Sequence, residues 1–381
     1  MRLVSARFVD RSTYIVIRAS GLGKKNLLIL LGKVGLQKDH PLEDTKAPHG
    51  KVTIRHVASD AGVSVAAVSK VLRNAYGVSD SLRAKVLKSI DKLGYRPSTA
   101  ARGMRGQTYS IGMLLVEMQN PFLPTVIEGA KATLQKAGYK TLIGVGEANA
   151  SIERSLIDSM IDLQMDGLIL VAPRISGRLL SRYTAQKPIV VVGHHEPEAT
   201  SFDTVNSDDA AGAKLAVQEL IAAGCHTIHM ISLPRINEDR EVFALRERGY
   251  LEAMAEAGLS DKAHIWRVRE RPNGPGTPLE ELFEAGNLPD GLFCWSDIHA
   301  IDVLNQAHQR GISVPEQLAV VGYDNTPVSA MPMIGLSSVE QRGQTLGDLA
   351  AKALLSRIGG RTKAEHVMVA PELFKRHSLP H

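Results

Sequence analysis

Few side chains in this 381-residue chain stand at spacings that could make or break covalent bonds, and those few fail on closer inspection. Gly21-Leu22-Gly23-Lys24-Lys25 suggests a phosphate loop, but the position five before Gly23 is Arg18, so the glycine that opens the cradle is missing. Gly144-Val145-Gly146 follows an apolar run, yet Asn149 stands where a dinucleotide fingerprint needs its third glycine. His194-His195-Glu196 is not an HExxH helix, and neighbours at a strand end point to opposite faces, so these read as loop residues. Cys225 and Cys294 are far apart and form no CxxC, which indicates neither a disulfide framework nor a zinc site and suits a reducing cytoplasm. There is no GxSxG and no kinase signature. The expectation is a binding protein without catalytic residues, cofactor or metal.

The stretch from Val52 to Met104 shows what is bound. Ile54 to Asp60 reads as a short helix with Thr53 as N-cap, and Gly62 permits the tight turn that follows. Ser64 can cap a second helix whose inner face holds Val68 and Leu72 and whose outer face holds Val65, Ala66, Ser69 and Lys70. A third helix begins after Ser79, with Leu82, Val86, Ile90 and Leu93 as its buried stripe. Two short helices across a glycine turn, buttressed by a third, make an all-α helix-turn-helix headpiece. Residues 51–108 carry 11 Lys and Arg against 3 Asp and Glu, a net +8, whereas residues 109–381 carry 25 against 33, a net −8. Only the N-terminal part suits a polyanion.

From Tyr109 the pattern becomes an alternation of strands and helices. Strands are expected at 110–116, 141–145, 167–171 and 189–192, with helices at 123–137 and 152–163. The alternation restarts after Asn206, with helices at 208–223, 242–257 and 298–310 and strands at 227–231, 291–294 and 318–321. Two such runs predict an α/β body of two lobes, each a parallel sheet with helices on both faces, and ligands beyond the carboxyl ends of the strands. Ser337–Glu340 then crosses back and places helix 345–358 on the first lobe.

T-I-x-x-V-A-x-x-A-G-V-S, V-S-K-V-L and L-G-Y-R-P-S-x-A-A-R-G-M, all within Val52–Met104, resemble the DNA-binding headpiece of the lactose-repressor family of bacterial transcription regulators. The resemblance continues to near the C-terminus and implies a periplasmic-binding-protein-like effector domain after the headpiece. It divides the chain into a basic extension (1–50), a helix-turn-helix domain (51–96), a hinge (97–108) and an effector-binding and dimerisation domain (109–381). Within that domain the first lobe is expected at about 109–207 plus 340–361, and the second at about 208–339 plus 362–381. The extension is expected to be poorly ordered or an artefact of a misplaced start codon. Its apolar run at Leu27–Leu31 is too short to span a bilayer.

By the same resemblance, Val65 and Ala66 occupy the specificity-setting pair of the recognition helix, and Lys70 replaces a more common arginine. Arg102 and Met104 fall in the hinge, with Met104 where an apolar side chain wedges into the minor groove. Thr53, Ser64 and Ser69 complete the expected DNA-binding set. The effector-binding set comprises Asn120 and Phe122 after the first strand, Arg246, then Trp295, Ser296 and Asp297, and finally Asp324. Arg246 and Asp324 match the family's effector-contacting arginine and aspartate, and loss of either is expected to abolish the effector response with little effect on folding. The resemblance thus implies a cytoplasmic repressor that acts as a homodimer. Its partners are double-stranded operator DNA and a sugar or sugar derivative, with no membrane. The competing class is a sugar-binding protein or carbohydrate enzyme built on the same lobes, which the headpiece and the missing export signal disfavour.

Overall fold

The computed structural model describes residues 52–72, 75–96, 106–234, 242–268, 279–284, 286 and 288–380. Contacts divide the chain into two units that meet between Tyr95 and Arg96.

The first unit contains α1 (Ile54–Asp60), α2 (Val65–Leu72) and α3 (Asp80–Leu93). Each start has its own device for the orphan N–H groups of the first turn. The Thr53 N–H donates to Nδ1 of His56 (3.2 Å), Ser64 Oγ accepts from Ala67 (3.1 Å), and Ser79 Oγ accepts from Leu82 (3.3 Å). Gly62 adopts φ +59° between α1 and α2, as the turn requires. The core is Val57, Ala58, Ala61, Val68, Val71 and Val86. On α2 the second buried residue is therefore Val71 rather than Leu72, which sits half-buried at the rim, because a three-residue step from Val68 also returns to the inner face. Ser89 Oγ donates to the Val57 carbonyl (3.3 Å) and ties α3 to α1.

The second unit holds two six-stranded sheets. The first contains β1 (Ser110–Leu115), β2 (Lys140–Val145), β3 (Gly167–Val171), β4 (Ile189–Val192), β5 (Asp203–Ser207) and β11 (His366–Val369). Their order is β11-β5-β4-β3-β1-β2, parallel throughout. The second contains β6 (Ile228–Ser232), β7 (His264–Arg267), β8 (Gly291–Cys294), β9 (Ala319–Tyr323), β10 (Ser337–Glu340) and β12 (Glu372–Phe374). The order is β12-β10-β9-β8-β6-β7, parallel except for β12, which runs against β10.

Helices α4 (Phe122–Lys136) and α11 (Gly343–Ile358) cover one face of the first sheet, and α5 (Ala150–Asp162) and α6 (Gly177–Thr184) the other. On the second sheet, α7 (Asp209–Ala222) and α8 (Val242–Glu256) face α9 (Glu280–Glu284) and α10 (Asp297–Gln309) across the strands. The backbones of α4 and α11 touch. A Cβ on Gly129 would strike the Gln344 carbonyl, and one on Gly347 the Val126 carbonyl.

One lobe boundary differs from the sequence expectation. β11 pairs with β5, so His366–Val369 belongs to the first lobe, and the chain returns to the second only at β12. β11 is a half-exposed edge strand whose short apolar signal does not reveal its sheet. The chain consequently crosses between lobes three times, from β5 to α7, from β10 to α11 and from β11 to β12. Among the described residues no helix is long and apolar enough to cross a membrane.

Candidate functional site

Parallel strands leave their carboxyl ends open as a ligand crevice, and here the crevices of the two sheets face one cavity of about 990 Å³. Five of the seven residues expected to bind the effector line it: Asn120, Phe122, Arg246, Trp295 and Asp324.

The floor is an ionic cluster. Arg246, on the first turns of α8, is buried. Its Nε donates to Asp209 Oδ1 (2.8 Å), Nη1 donates to the Trp295 carbonyl, and the guanidinium lies 3.6 Å from the centroid of the Tyr323 ring. Asp209 opens α7 at the first crossing and also meets His195 Nε2 from the end of β4 (2.8 Å). Burial works against the Asp209 carboxylate, but Arg246 and His195 outweigh it and hold its pKa below the ordinary value.

Asp324, in left-handed backbone (φ 106°) beyond β9, receives Asn120 Nδ2 from the first lobe (2.9 Å) and Gln341 Nε2 from the second crossing (2.5 Å). Arg246 Nη1 lies 3.8 Å away. Here burial prevails over these partners, with Asp297 adding to it, and the pKa of Asp324 is raised from 3.8 to about 7.

Ser296 and Asp297 do not reach the cavity, which corrects two of the expected effector contacts. Ser296 Oγ, just before α10, pairs with His299 Nδ1 of its first turn (2.9 Å). Asp297 is fully buried and accepts from Thr326 N (2.7 Å), Thr326 Oγ1 (2.9 Å) and Ser338 Oγ (2.5 Å). It braces the turn that carries Asp324, because α10 starts there and turns its first side chains under the sheet. Trp295 lines the cavity while its ring stands edge-on to Phe243 of its own lobe, centroids 6.5 Å apart.

The first-lobe wall adds Glu147, Arg174 and Arg178, which motif reasoning passed over, and His194 and Glu196, which it read only as loop residues. His194 Nε2 lies 3.0 Å from Glu196 Oε2. Counting outward from the end of each strand, rather than seeking motifs, would have found Arg174 after β3 and kept His194 after β4 as a candidate. The loop bearing Arg174 is held by Glu153, a fully buried carboxylate on α5 that accepts from the backbone N–H groups of Arg174 (2.8 and 3.0 Å) and Ile175 (3.1 Å). Burial lifts the Glu153 pKa even against these bonds.

In the first unit, Ser64, Val65, Ala66 and Lys70 form an exposed strip along α2, with Thr53 exposed before α1 and Ser69 half-buried. Arg102 and Met104 lie outside the described residues.

A helix-turn-helix unit joined to a two-lobed α/β body defines a class of bacterial regulators, and the comparisons agree. Residues 53–98 match the model described as bacterial regulatory proteins, lacI family, and residues 217–379 match the periplasmic binding protein-like domain. The N-terminal part is thus similar to the lacI family of bacterial regulatory proteins, and the larger body to periplasmic binding proteins. The chain is 28% identical over 337 residues to the HTH-type transcriptional repressor PurR of Photobacterium profundum, covering 86% of this chain and 98% of that one. The PurR of Salmonella typhi is 29% identical over 333 residues, covering 86% and 96%. Among solved structures, the transcriptional regulator CelR–cellobiose complex has TM-score 0.62 at 25% identity, covering 86% of this chain and 99% of that one. The lac repressor dimer bound to operator and the anti-inducer ONPF has TM-score 0.73 at 20% identity, covering 87% and 100%.

Proposed function

We propose that this chain is a sequence-specific transcription repressor whose hold on operator DNA is set by a small polar effector, a sugar or sugar derivative, bound between the lobes. The observation that carries this reading is the gathering of Asn120, Arg246 and Asp324, from both lobes, on one cavity in a chain headed by a helix-turn-helix. Amide, guanidinium and carboxylate in that arrangement suit neighbouring hydroxyls, and Trp295 offers a ring for a sugar face. Arg246 is already balanced by Asp209, which favours a neutral polar ligand over an anion at the floor. The CelR structure, described with cellobiose, is consistent with that class.

Binding rather than turnover is supported by the floor carboxylates, whose oxygens are committed to arginine, amide and imidazole partners. The repressor acts in the cytoplasm as a homodimer, reading a pseudo-palindromic site with one α2 per half-site. Effector binding shifts the population of lobe arrangements and with it the spacing of the two headpieces.

Val65 and Ala66 can select bases only through methyl contact or fit, whereas Lys70 can reach guanine O6 and N7. The test is selection of binding sites from random DNA with wild type and Lys70→Ala. The variant should lose a guanine preference worth about 1–3 kcal/mol at one base pair per half-site. Recovery of one consensus with equal guanine weight by both proteins would refute the docking of α2.

A further inference from the structure

Ahead of α3, Tyr76 presents an aromatic side chain to open solvent. Tyr76 is fully exposed, at 105% of its reference accessibility. Its neighbours are held in place. The Ala75 N–H donates to the Lys70 carbonyl on α2 (3.1 Å), Val78 packs on the headpiece core, and Ser79 caps α3. Gly77, at φ +82°, bends the chain between these anchors, so Tyr76 stands between neighbours that are themselves held. An aromatic ring left in water forgoes the burial that a side chain of its size ordinarily gains. Here it is mounted within reach of the end of α2 that carries Lys70.

We infer that Tyr76 docks on the sugar–phosphate backbone of duplex DNA beside the groove entered by α2, its ring against a deoxyribose and its hydroxyl donating to a phosphate oxygen. The inference rests on the DNA-binding reading above. The surrounding charge selects this occupant: residues 51–108 carry a net +8, which draws a polyanion to this surface and repels a basic partner. A contact to sugar and phosphate reads no base edge, so it strengthens every sequence alike. Tyrosine is also neutral. It displaces no counterion, and its loss leaves the salt dependence of binding unchanged, unlike loss of a lysine.

The test uses the full chain as wild type, Tyr76→Ala and Tyr76→Phe. Each is titrated by fluorescence anisotropy over a salt series against the duplex recovered by site selection and against a scrambled duplex of equal length. Tyr76→Ala should bind both duplexes about tenfold more weakly with the same slope of log affinity against log salt. Tyr76→Phe, which keeps the ring, should lose about threefold. Both variants should unfold at the wild-type temperature, as the side chain is fully exposed. Wild-type affinity in Tyr76→Ala, or a loss confined to the selected duplex, overturns the inference. So does a change in oligomeric state, which would assign the ring to a protein contact. A wild type that binds neither duplex defeats the DNA-binding reading itself and is thereby told apart from a failure of Tyr76 alone.

Discussion

The two lobes share a strand order, β2-β1-β3-β4-β5-β11 against β7-β6-β8-β9-β10-β12, yet they invest their strand ends differently. In the second lobe the strand-end and helix-start polar groups are buried and mutually bonded. Arg246 holds Asp209, Asp324 is gripped by amides, and Asp297 staples the turn beneath. In the first lobe the wall of Glu147, Arg174 and Arg178 is exposed, with Glu153 buried behind it. One lobe therefore offers a preformed electrostatic floor, and the other a solvated wall that a ligand can rearrange. At the cavity itself, buried bonded polar groups lie mainly on the second lobe and exposed charged ones on the first.

The contrast is broken most forcefully at Arg246. Arg246→Ala leaves Asp209 and Asp324 buried without their guanidinium. The loss should be about 3–5 kcal/mol in urea unfolding, the range for breaking a buried ion pair from one side. Retention of wild-type stability would show that the floor is not structural. From sequence alone this substitution reads as a ligand defect only; its burial makes it a folding defect as well. Glu153→Gln comes next. An amide cannot accept from every backbone N–H that the carboxylate serves, and the expected cost is about 1–3 kcal/mol by the same measurement. No change would remove Glu153 as the brace of the Arg174 loop.

Asp324 supplies a pH signature. Burial raises its folded pKa from 3.8 to about 7, so the folded protein keeps a proton that the unfolded chain has released. Its contribution to stability is complete below pH 3.8 and is lost as pH rises through about 7. The stability of wild type relative to Asp324→Asn should accordingly fall from about pH 4 to about pH 7 and level off above that. A pH-independent difference would place the titration elsewhere. The smallest effect is expected on the opposite wall. Arg178→Ala should change stability by less than about 0.5 kcal/mol, while altering the affinity of whichever metabolite shifts the melting temperature in a screen. A larger stability loss would contradict the division between lobes.

How much of this was legible beforehand follows from where polarity is satisfied. The headpiece and the apolar strands β1, β3, β4, β6 and β8 announce themselves through caps and hydrophobic runs. β5 does not. Asp203-Thr204-Val205-Asn206-Ser207 reads as a polar loop, yet every residue of it is buried. Arg357 and Arg361 reach Asp203 from more than 150 positions away, and Asn206 Oδ1 accepts from the His194 N–H (2.9 Å). Local periodicity cannot register partners so distant. The same reasoning separates Asp297 from Asp324. Both are acids beyond strand ends, and only the fold shows that one turns under the sheet and the other into the cavity.

The glycine contact between α4 and α11 has a mechanical consequence. Asn120 precedes α4 by two residues and Gln341 precedes α11 by two, and both hold Asp324. Because the two helices meet backbone to backbone, they have little room to slide past one another when Asp324 exchanges these amides for a ligand. α11, with 16 residues, extends about 24 Å. Its far end, at Leu354 and Ile358, presses on Gly167 at the start of β3, in register with Ile111 at the start of β1. One helix and two close contacts thus connect the cleft to the starts of β3 and β1, the end of the first lobe where the chain enters from residue 106 onward.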